Sequence, residues 1–519
     1  MIALPDTFNA ASWFVDRNVA EGRGPKVAIE CGDRHITYAE VLEGVNRAGN
    51  LLREQFEVRF EERIVLVLLD GPEFIYTFFG AVKIGAVPIP TSTLWKPADY
   101  EYVLNDSRAR IIVISEALLP QLDAIPRERL RYVKHVVVVG EAFHELIAQA
   151  SPKLEAERTS KDDPAFWLYS SGSTGFPKGC VHLHHDMVVC TELYGKAILN
   201  MTEADRCFSV AKLFFAYGLG NAMYCPFGVG ATTILWPGPP AAANVYSVIE
   251  RHRPTLFFSV PTNYGMLLAH TRDGRDFDLS SIRHAVSAGE SLPAALFERF
   301  KQRFGVEILD GIGSTEILHI FISNRPGAIR PGSSGRVVEG YEARIVDEEN
   351  RDVPIGEIGN LLVSGDSTCA CYWNKHEKTK TTIEGRWIRT GDKYYRDAEG
   401  YYWYAGRSDD MMKVGGIWVS PIEVENVLIE HPAVQECGVG SRADHDGLLK
   451  PYAFVVLTNG ETGTPELAAE LQQFVRGRLA EYKRPRWVEF IDELPKTATG
   501  KVQRYKLRER AARSAELTT

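Results

Sequence analysis

Apolar and polar positions alternate along this chain in two different rhythms. Up to about residue 340, short apolar runs are separated by longer segments with helical spacing. "RIVLVLL" reads as a strand, "EFIYTFFGAVKIG" as a helix and "AVPIPTS" as a strand again. "RIIVIS", "HVVVV", "TTILW", "TLFFSV" and "RHAVSAG" continue the series. Runs this short and this apolar, with helices between them, predict strands covered on both faces in layered α/β sheets.

The rhythm changes near Tyr341. "YEARIVDEENRDVPIGEIGNLLVSG" and "RWIRTGDKYYRDAEGYYWYAG" read as hairpins turning at "DEEN" and "DAEG", which predicts a β-rich subdomain. A second change follows "GRSDD". There "PIEVENVLIEH" reads as a helix, "PYAFVVL" as a strand, "TPELAAELQQFVRGRLAEY" as an amphipathic helix and "RWVEFI" as a last strand. The pattern predicts a large domain over 1–408 and a small α+β domain over 409–519.

Composition narrows the function. The chain has 519 residues, and its formal charge of −9 argues against a nucleic-acid surface. No apolar run approaches the ~20 residues of a membrane span, and the N-terminal stretch has neither the basic start nor the apolar core of a signal peptide. Eight cysteines stand without a framework, which fits a reduced, cytoplasmic setting. His182, His184 and His185 are close together, but no cysteine or carboxylate cluster accompanies them, so a metal site is not expected there.

The candidate chemistry begins at "YSSGSTGFPKG", Tyr169 to Gly179. It follows the apolar "AFWLY" and reads as a flexible loop after a strand. Gly172 and Gly175 let backbone N–H groups approach an anion. Ser170, Ser171, Ser173 and Thr174 add hydroxyl donors, and Lys178 adds a charge. The spacing is not that of a Walker A loop. "DGIGSTE", Asp310 to Glu316, ends in a carboxylate suited to Mg²⁺ held with phosphate oxygens. Asp392 of "RTGD" can accept from vicinal ribose hydroxyls. "PKTATGK" presents Lys501 on a loop near the C-terminus.

In this order, "YSSGSTGFPKG", "GSTE", "RTGD", "GRSDD" and "PKTATGK" resemble the adenylate-forming superfamily, which includes acyl-CoA synthetases, peptide-synthetase adenylation domains and luciferases. The resemblance runs from the first helix to Leu507. "KLFFAYGLGN", "DGIGSTEILHIFISN" and "YWNKHEKTK" are similar to the benzoate-type aryl-CoA ligases. It implies an N-terminal domain carrying the ATP and acyl sites and a mobile C-terminal lid. It also implies that Thr174 and Lys178 lie in the loop holding the β- and γ-phosphates, with Thr315 on the α-phosphate and Glu316 on Mg²⁺. Gly289, Glu290 and Asp310 would border the adenine, and Asp392 with Arg407 would hold the ribose. Lys501 would bridge acyl carboxylate and α-phosphate, and Asp409 would be the hinge. The chain departs from many relatives where Phe215 and Ala216 stand in place of a histidine.

The implied activity is conversion of benzoate or a hydroxybenzoate to an acyl-AMP, then transfer to coenzyme A, by a monomer or homodimer. Phe214, Phe215, Ala216, Tyr217 and Gly218, with Gly311, Ile312, Ile317 and His319, give a mix of bulky and small residues that predicts a flat slot for one ring. Two readings remain beside it: an adenylation protein loading a separate carrier protein, and a nucleotide sensor without catalysis.

Overall fold

The computed structural model describes residues 2–172, 175–274, 276–414, 417–444, 448–458, 460–496 and 502–516. Six sheets organise them. The largest has nine strands and a parallel centre. In spatial order, Ile308–Gly313, His284–Ser287, Leu256–Ser259, Arg206–Ser209, Thr232–Leu235 and Val27–Cys31 run side by side in parallel. Antiparallel strands close both ends. A four-stranded parallel sheet is formed by Val87–Pro90, Arg63–Val67, Ile111–Ser115 and His135–Val139. Thr232–Leu235 and Leu256–Ser259 are buried along their whole length, as strands covered on both faces require.

The β-rich part lies where the pattern changes. Glu342–Val346 pairs with Gly359–Ser364, and Trp387–Arg396 pairs with Tyr402–Arg407, all antiparallel. Gly391 interrupts the second hairpin with φ +77°, and a Cβ there would stand 2.9 Å from the Arg407 guanidinium. Only glycine allows this close crossing.

The small domain has its own core. Met412, Val419, Leu428, Val439, Val455 and Leu471 pack together there. Its sheet joins Val434–Ala443, Leu449–Leu457 and Trp487–Phe490. The helix Pro421–Leu428 is capped by the Ser420 hydroxyl, and Pro465–Arg476 by that of Thr464. Among the described residues no helix is long and apolar enough to cross a membrane.

One sequence expectation is corrected. Within the stretch Tyr169–Gly179, residues 169–172 and 175–179 are not a free loop after a strand. Pro164–Gly172 and Gly175–Leu183 form an antiparallel hairpin, with Tyr169 opposite Gly179, Ser170 opposite Lys178 and Gly172 opposite Gly175. Serines and glycines suit a loop by propensity, but ladder hydrogen bonds and the apolar arms beneath override it. Cys371–Tyr372 adds a third strand beside Gly175–Leu183.

Candidate active site

A cleft of about 1550 Å³ opens between the large sheet, the hairpin and the small domain. The hairpin register places Ser170 and Lys178 side by side on its wall. Glu316 enters from a short turn, Thr315–Ile317, directly after the strand Ile308–Gly313. Its Oε1 accepts from the Ser170 hydroxyl at 3.1 Å and from the Tyr372 hydroxyl at 2.8 Å. The Lys178 ammonium lies 4.5 Å from the Tyr372 ring centre. Burial, and then the Glu316 charge, push the Tyr372 phenol well up, so it remains a donor. The segments Tyr169–Gly179 and Asp310–Glu316, far apart in sequence, thus meet through one carboxylate.

The backbone of the turn is also held. The Cys369 N–H donates to the Glu316 carbonyl at 2.7 Å. His182, on the hairpin, lies 2.8 Å from the Thr315 carbonyl. Gly313 must be glycine, because a Cβ would stand 2.6 Å from the His319 carbonyl oxygen. Leu318 has φ +70°, a conformation that costs a leucine about 1–3 kcal/mol and that the buried surroundings impose.

Gly289, Glu290 and Gly311 line the cleft, and the Thr262 hydroxyl donates to Glu290 at 3.2 Å. Asp310 is buried beneath this wall, and its Oδ1 has no hydrogen-bond partner among the described residues. Burial pushes its carboxyl well above the usual range. Across the cleft, Arg407 donates to Asp392 at 2.9 Å and to the Thr390 carbonyl at 3.1 Å.

The predicted slot residues fall into two sets. Gly311 and Ile312 line the cleft, whereas Ile317 is core. Phe214 packs on Phe215 with ring centres 4.3 Å apart, at the start of the short helix Ala216–Leu219. Tyr217 donates to the Val286 carbonyl at 3.1 Å, and its ring centre lies 6.2 Å from that of His319. Gly218 is packed so closely that a Cβ would stand 2.1 Å from the Lys212 carbonyl oxygen. His319 is fully buried, also ringed by Tyr194 and Tyr224. Burial lowers its pKa to about 3, so the ring is neutral. Neither of its nitrogens has a partner among the described residues, nor do Asn221 Nδ2 and Oδ1 or the hydroxyls of Tyr194 and Tyr224. Unpartnered buried polar atoms in such number call for an explanation.

Ser173, Thr174 and Lys501 lie outside the described residues, as does the side chain of Ser171, while the backbone of Gly172 and Gly175 is described as strand. Lys496 and Val502, which flank the Lys501 segment, line the cleft and pair with each other. Asp409 is also on the cleft wall. Sequence reading missed Tyr372, His182 and Arg504. Arg504 is half-buried and donates to Glu425 Oε2 at 2.8 Å. Tyr372 stands in "YWNKHEKTK", a stretch already singled out, but nothing local shows that its hydroxyl turns to Glu316.

The model for the AMP-binding enzyme family matches residues 16–373, and that for the AMP-binding enzyme C-terminal domain matches 423–501. The chain is 48% identical over 512 residues to a benzoate–CoA ligase of Thauera aromatica, covering 98% of this chain and 97% of that one. It is 45% identical over 518 residues to a 4-hydroxybenzoate–CoA/benzoate–CoA ligase of Rhodopseudomonas palustris, covering 98% and 96%. Among solved structures, an anthranilate CoA ligase in complex with anthranoyl-AMP superimposes with a TM-score of 0.95 at 47% identity, covering 99% of each chain. A benzoate CoA ligase from Burkholderia xenovorans LB400 gives a TM-score of 0.89 at 46% identity, covering 96% of this chain and 100% of that one.

Proposed function

Since this chain belongs to the AMP-binding enzyme family, we propose that it is an AMP-forming aryl-CoA ligase acting on benzoate or a ring-substituted benzoate. The observation that carries this reading is one cleft lined by Ser170, Lys178, Gly311, Ile312 and Glu316, with Glu316 accepting from Ser170.

The first step couples two anions. A carboxylate oxygen of the acid attacks the α-phosphorus of ATP and pyrophosphate leaves. Thr174 and Lys178 hold the β- and γ-phosphates, and Thr315 holds the α-phosphate. Lys501 bridges the acid carboxylate and the α-phosphate, balancing charge where it accumulates. Glu316 offers a hard oxygen ligand, and among the described residues no cluster of three His, Cys, Asp or Glu forms a cage of its own. That donor set fits Mg²⁺ arriving with the nucleotide, which takes one or two carboxylates plus phosphate oxygens. Bound there, the ion would neutralise phosphate charge. Asp392 and Arg407 hold the ribose, and Gly289 and Glu290 border the adenine above Asp310.

In the second step the coenzyme A sulfur attacks the acyl carbon, AMP leaves and the thiol proton is released. Asp409 is the pivot between the large domain, 1–408, and the small one, 409–519. Phe215, Ala216, Tyr217 and Gly218 enclose the ring, and His319 with the neighbouring unpartnered hydroxyls and Asn221 favours an acid with a polar ring substituent.

Pyrophosphate release, measured with benzoate, the hydroxybenzoates, anthranilate and octanoate, with and without coenzyme A, tests this. The expected result is aryl-dependent release, thioester only with coenzyme A, and a hydroxy- or aminobenzoate at least equal to benzoate in kcat/KM. A higher kcat/KM for octanoate than for every benzoate would refute the aryl reading.

A further inference from the structure

Behind the cleft, one buried pair of ionisable side chains joins the two phosphate motifs. His182 lies four residues beyond Lys178 on the strand Gly175–Leu183. Its ring is fully buried and stacks on Phe166, with centres 5.3 Å apart. Nδ1 is 2.7 Å from Asp186 Oδ2, and Nε2 is 2.8 Å from the Thr315 carbonyl oxygen. Asp186 is fully buried as well, and its Oδ2 also accepts from the Leu183 N–H at 3.1 Å. Other titratable groups face this pair: His185, whose Nε2 is 3.1 Å from Asp186 Oδ1, and the Cys190 thiol and Tyr341 phenol, both pushed up chiefly by burial.

A carbonyl only accepts, so Nε2 must carry a hydrogen. Beside an ionised Asp186, which only accepts, Nδ1 must carry one too; a neutral ring fits the same contacts only if Asp186 is itself protonated and donates to Nδ1. We propose that His182 is a doubly protonated clamp, paired with Asp186, that fixes the Thr315 backbone to the Lys178 strand and so positions the phosphate-binding turn.

The chemistry favours this arrangement. Charge-assisted hydrogen bonds are short and strong in a low-dielectric interior. A buried ion pair is tolerated where its remaining hydrogen-bonding groups are engaged: both ring nitrogens and Asp186 Oδ2 are, whereas Asp186 Oδ1 makes no hydrogen bond among the described residues and faces the His185 ring. Release of the Thr315 carbonyl would let its peptide rotate, carrying the Thr315 side chain and Glu316 away from the nucleotide. His182 itself faces neither nucleotide nor acid; it is a positioning residue, and its effect on rate rests on Thr315 and Glu316 serving the phosphates.

The test compares His182→Ala, His182→Gln and Asp186→Asn. Single-turnover acyl-AMP formation and thioester formation from supplied aryl-AMP are measured separately. Proton NMR of the whole chain reads the far-downfield N–H region. His182→Ala is expected to slow acyl-AMP formation by roughly ten- to hundredfold, the scale of a lost charged hydrogen bond. Thioester formation should change by less than about threefold, since it makes no new bond to phosphate. His182→Gln keeps an N–H for the Thr315 carbonyl and should recover much of the loss. Two downfield resonances of the wild type should vanish in His182→Gln, and Asp186→Asn should lose at least one. If His182→Ala does not fold, the glutamine and asparagine variants carry the comparison. Equal losses in both steps, glutamine no better than alanine, or a single His182-dependent resonance would overturn the clamp. Both resonances with unimpaired adenylation in the variants would overturn the positioning role alone. A wild type that forms no aryl-AMP would instead refute the proposed activity, leaving the resonances as the measure of the clamp.

Discussion

Two buried histidines make stability depend on pH. His319 and His184 are both held near a pKa of about 3, chiefly by burial, against 6.5 for an exposed ring. His184 Nδ1 accepts from the Ala10 N–H at 3.0 Å, a bond that only the unprotonated nitrogen makes. As the pH falls, the unfolded chain takes up these protons first. The contribution of both rings is therefore complete above pH 6.5 and is lost progressively as the pH falls from there towards 3. Each should cost about 1 kcal/mol by pH 5.5, following the linkage of one pKa unit to ~1.4 kcal/mol. Thermal melts between pH 7.5 and 5 should show a falling midpoint, and a flatter profile in His319→Asn than in the parent. At the same scale, Tyr372→Phe removes one of the two hydroxyls donated to Glu316 and keeps the ring beside Lys178. The expected effect is a rise of roughly tenfold in KM for ATP with kcat little changed, the scale of one hydrogen bond to a charged group. Initial rates against ATP concentration check it. A fall in kcat with an unaltered KM would mean that Tyr372 acts elsewhere.

Among the elements, the short helix Ala216–Leu219 is closely seated. A Cβ at Gly218 would meet the Lys212 backbone, which cannot rotate away as a side chain can. Gly218→Ala should therefore cost about 1–3 kcal/mol of stability, the range for overpacking, and weaken binding of the aromatic acid more than of ATP. Denaturant unfolding and the two KM values separate these effects. Most strands were legible in the chain, though this helix was not: runs such as "TTILW" and "TLFFSV" announce buried strands because both faces must be apolar. The hairpins turning at "DEEN" and "DAEG" were legible for the complementary reason, since polar turn residues stand between alternating arms. The phosphate hairpin was not, because serine and glycine favour a loop and only pairing across the ladder reverses that preference. "TYAE" holds a signal that was there to be used: the Thr37 hydroxyl and Glu40 carboxylate form a capping box that starts the helix Tyr38–Asn50. For the site, sequence supplied the residues with backbone or charge signatures. It could not supply Tyr372 or His182, whose importance comes from partners distant in sequence, Glu316 at 56 residues for one and Thr315 at 133 for the other.

At the scale of the molecule, the junction between domains is narrow. Arg407 is tied back to Asp392, and the Ser408 N–H to the Gly391 carbonyl at 3.0 Å. Asp410 is tied forward, accepting from Arg508 at 2.6 Å and lying 3.6 Å from Arg504 on the C-terminal helix. Asp409 stands between these two anchorages. Proline fixes φ near −65°, so Asp409→Pro should hold one arrangement of the domains. The expected outcome is retained acyl-AMP formation with strongly slowed transfer to coenzyme A, read by single-turnover measurement of each half-reaction. Small, equal losses in both would place the pivot elsewhere.

Three residues separate Thr315, on the cleft wall, from His319, in the aromatic cluster, and Leu318 bends the chain sharply between them. The segment behaves as a ruler with both ends nailed down: a buried ring closes one, and a turn bonded to the hairpin the other. Such a gauge measures length as well as polarity. Phenylacetate inserts one methylene between ring and carboxylate, pushing the nucleophilic oxygen outward by about 1.5 Å, the length of a C–C bond. A displacement of about 1 Å is enough to cost roughly a hundredfold in a positioned reaction. Phenylacetate should therefore occupy the site yet turn over poorly, inhibiting benzoate activation competitively while releasing little pyrophosphate.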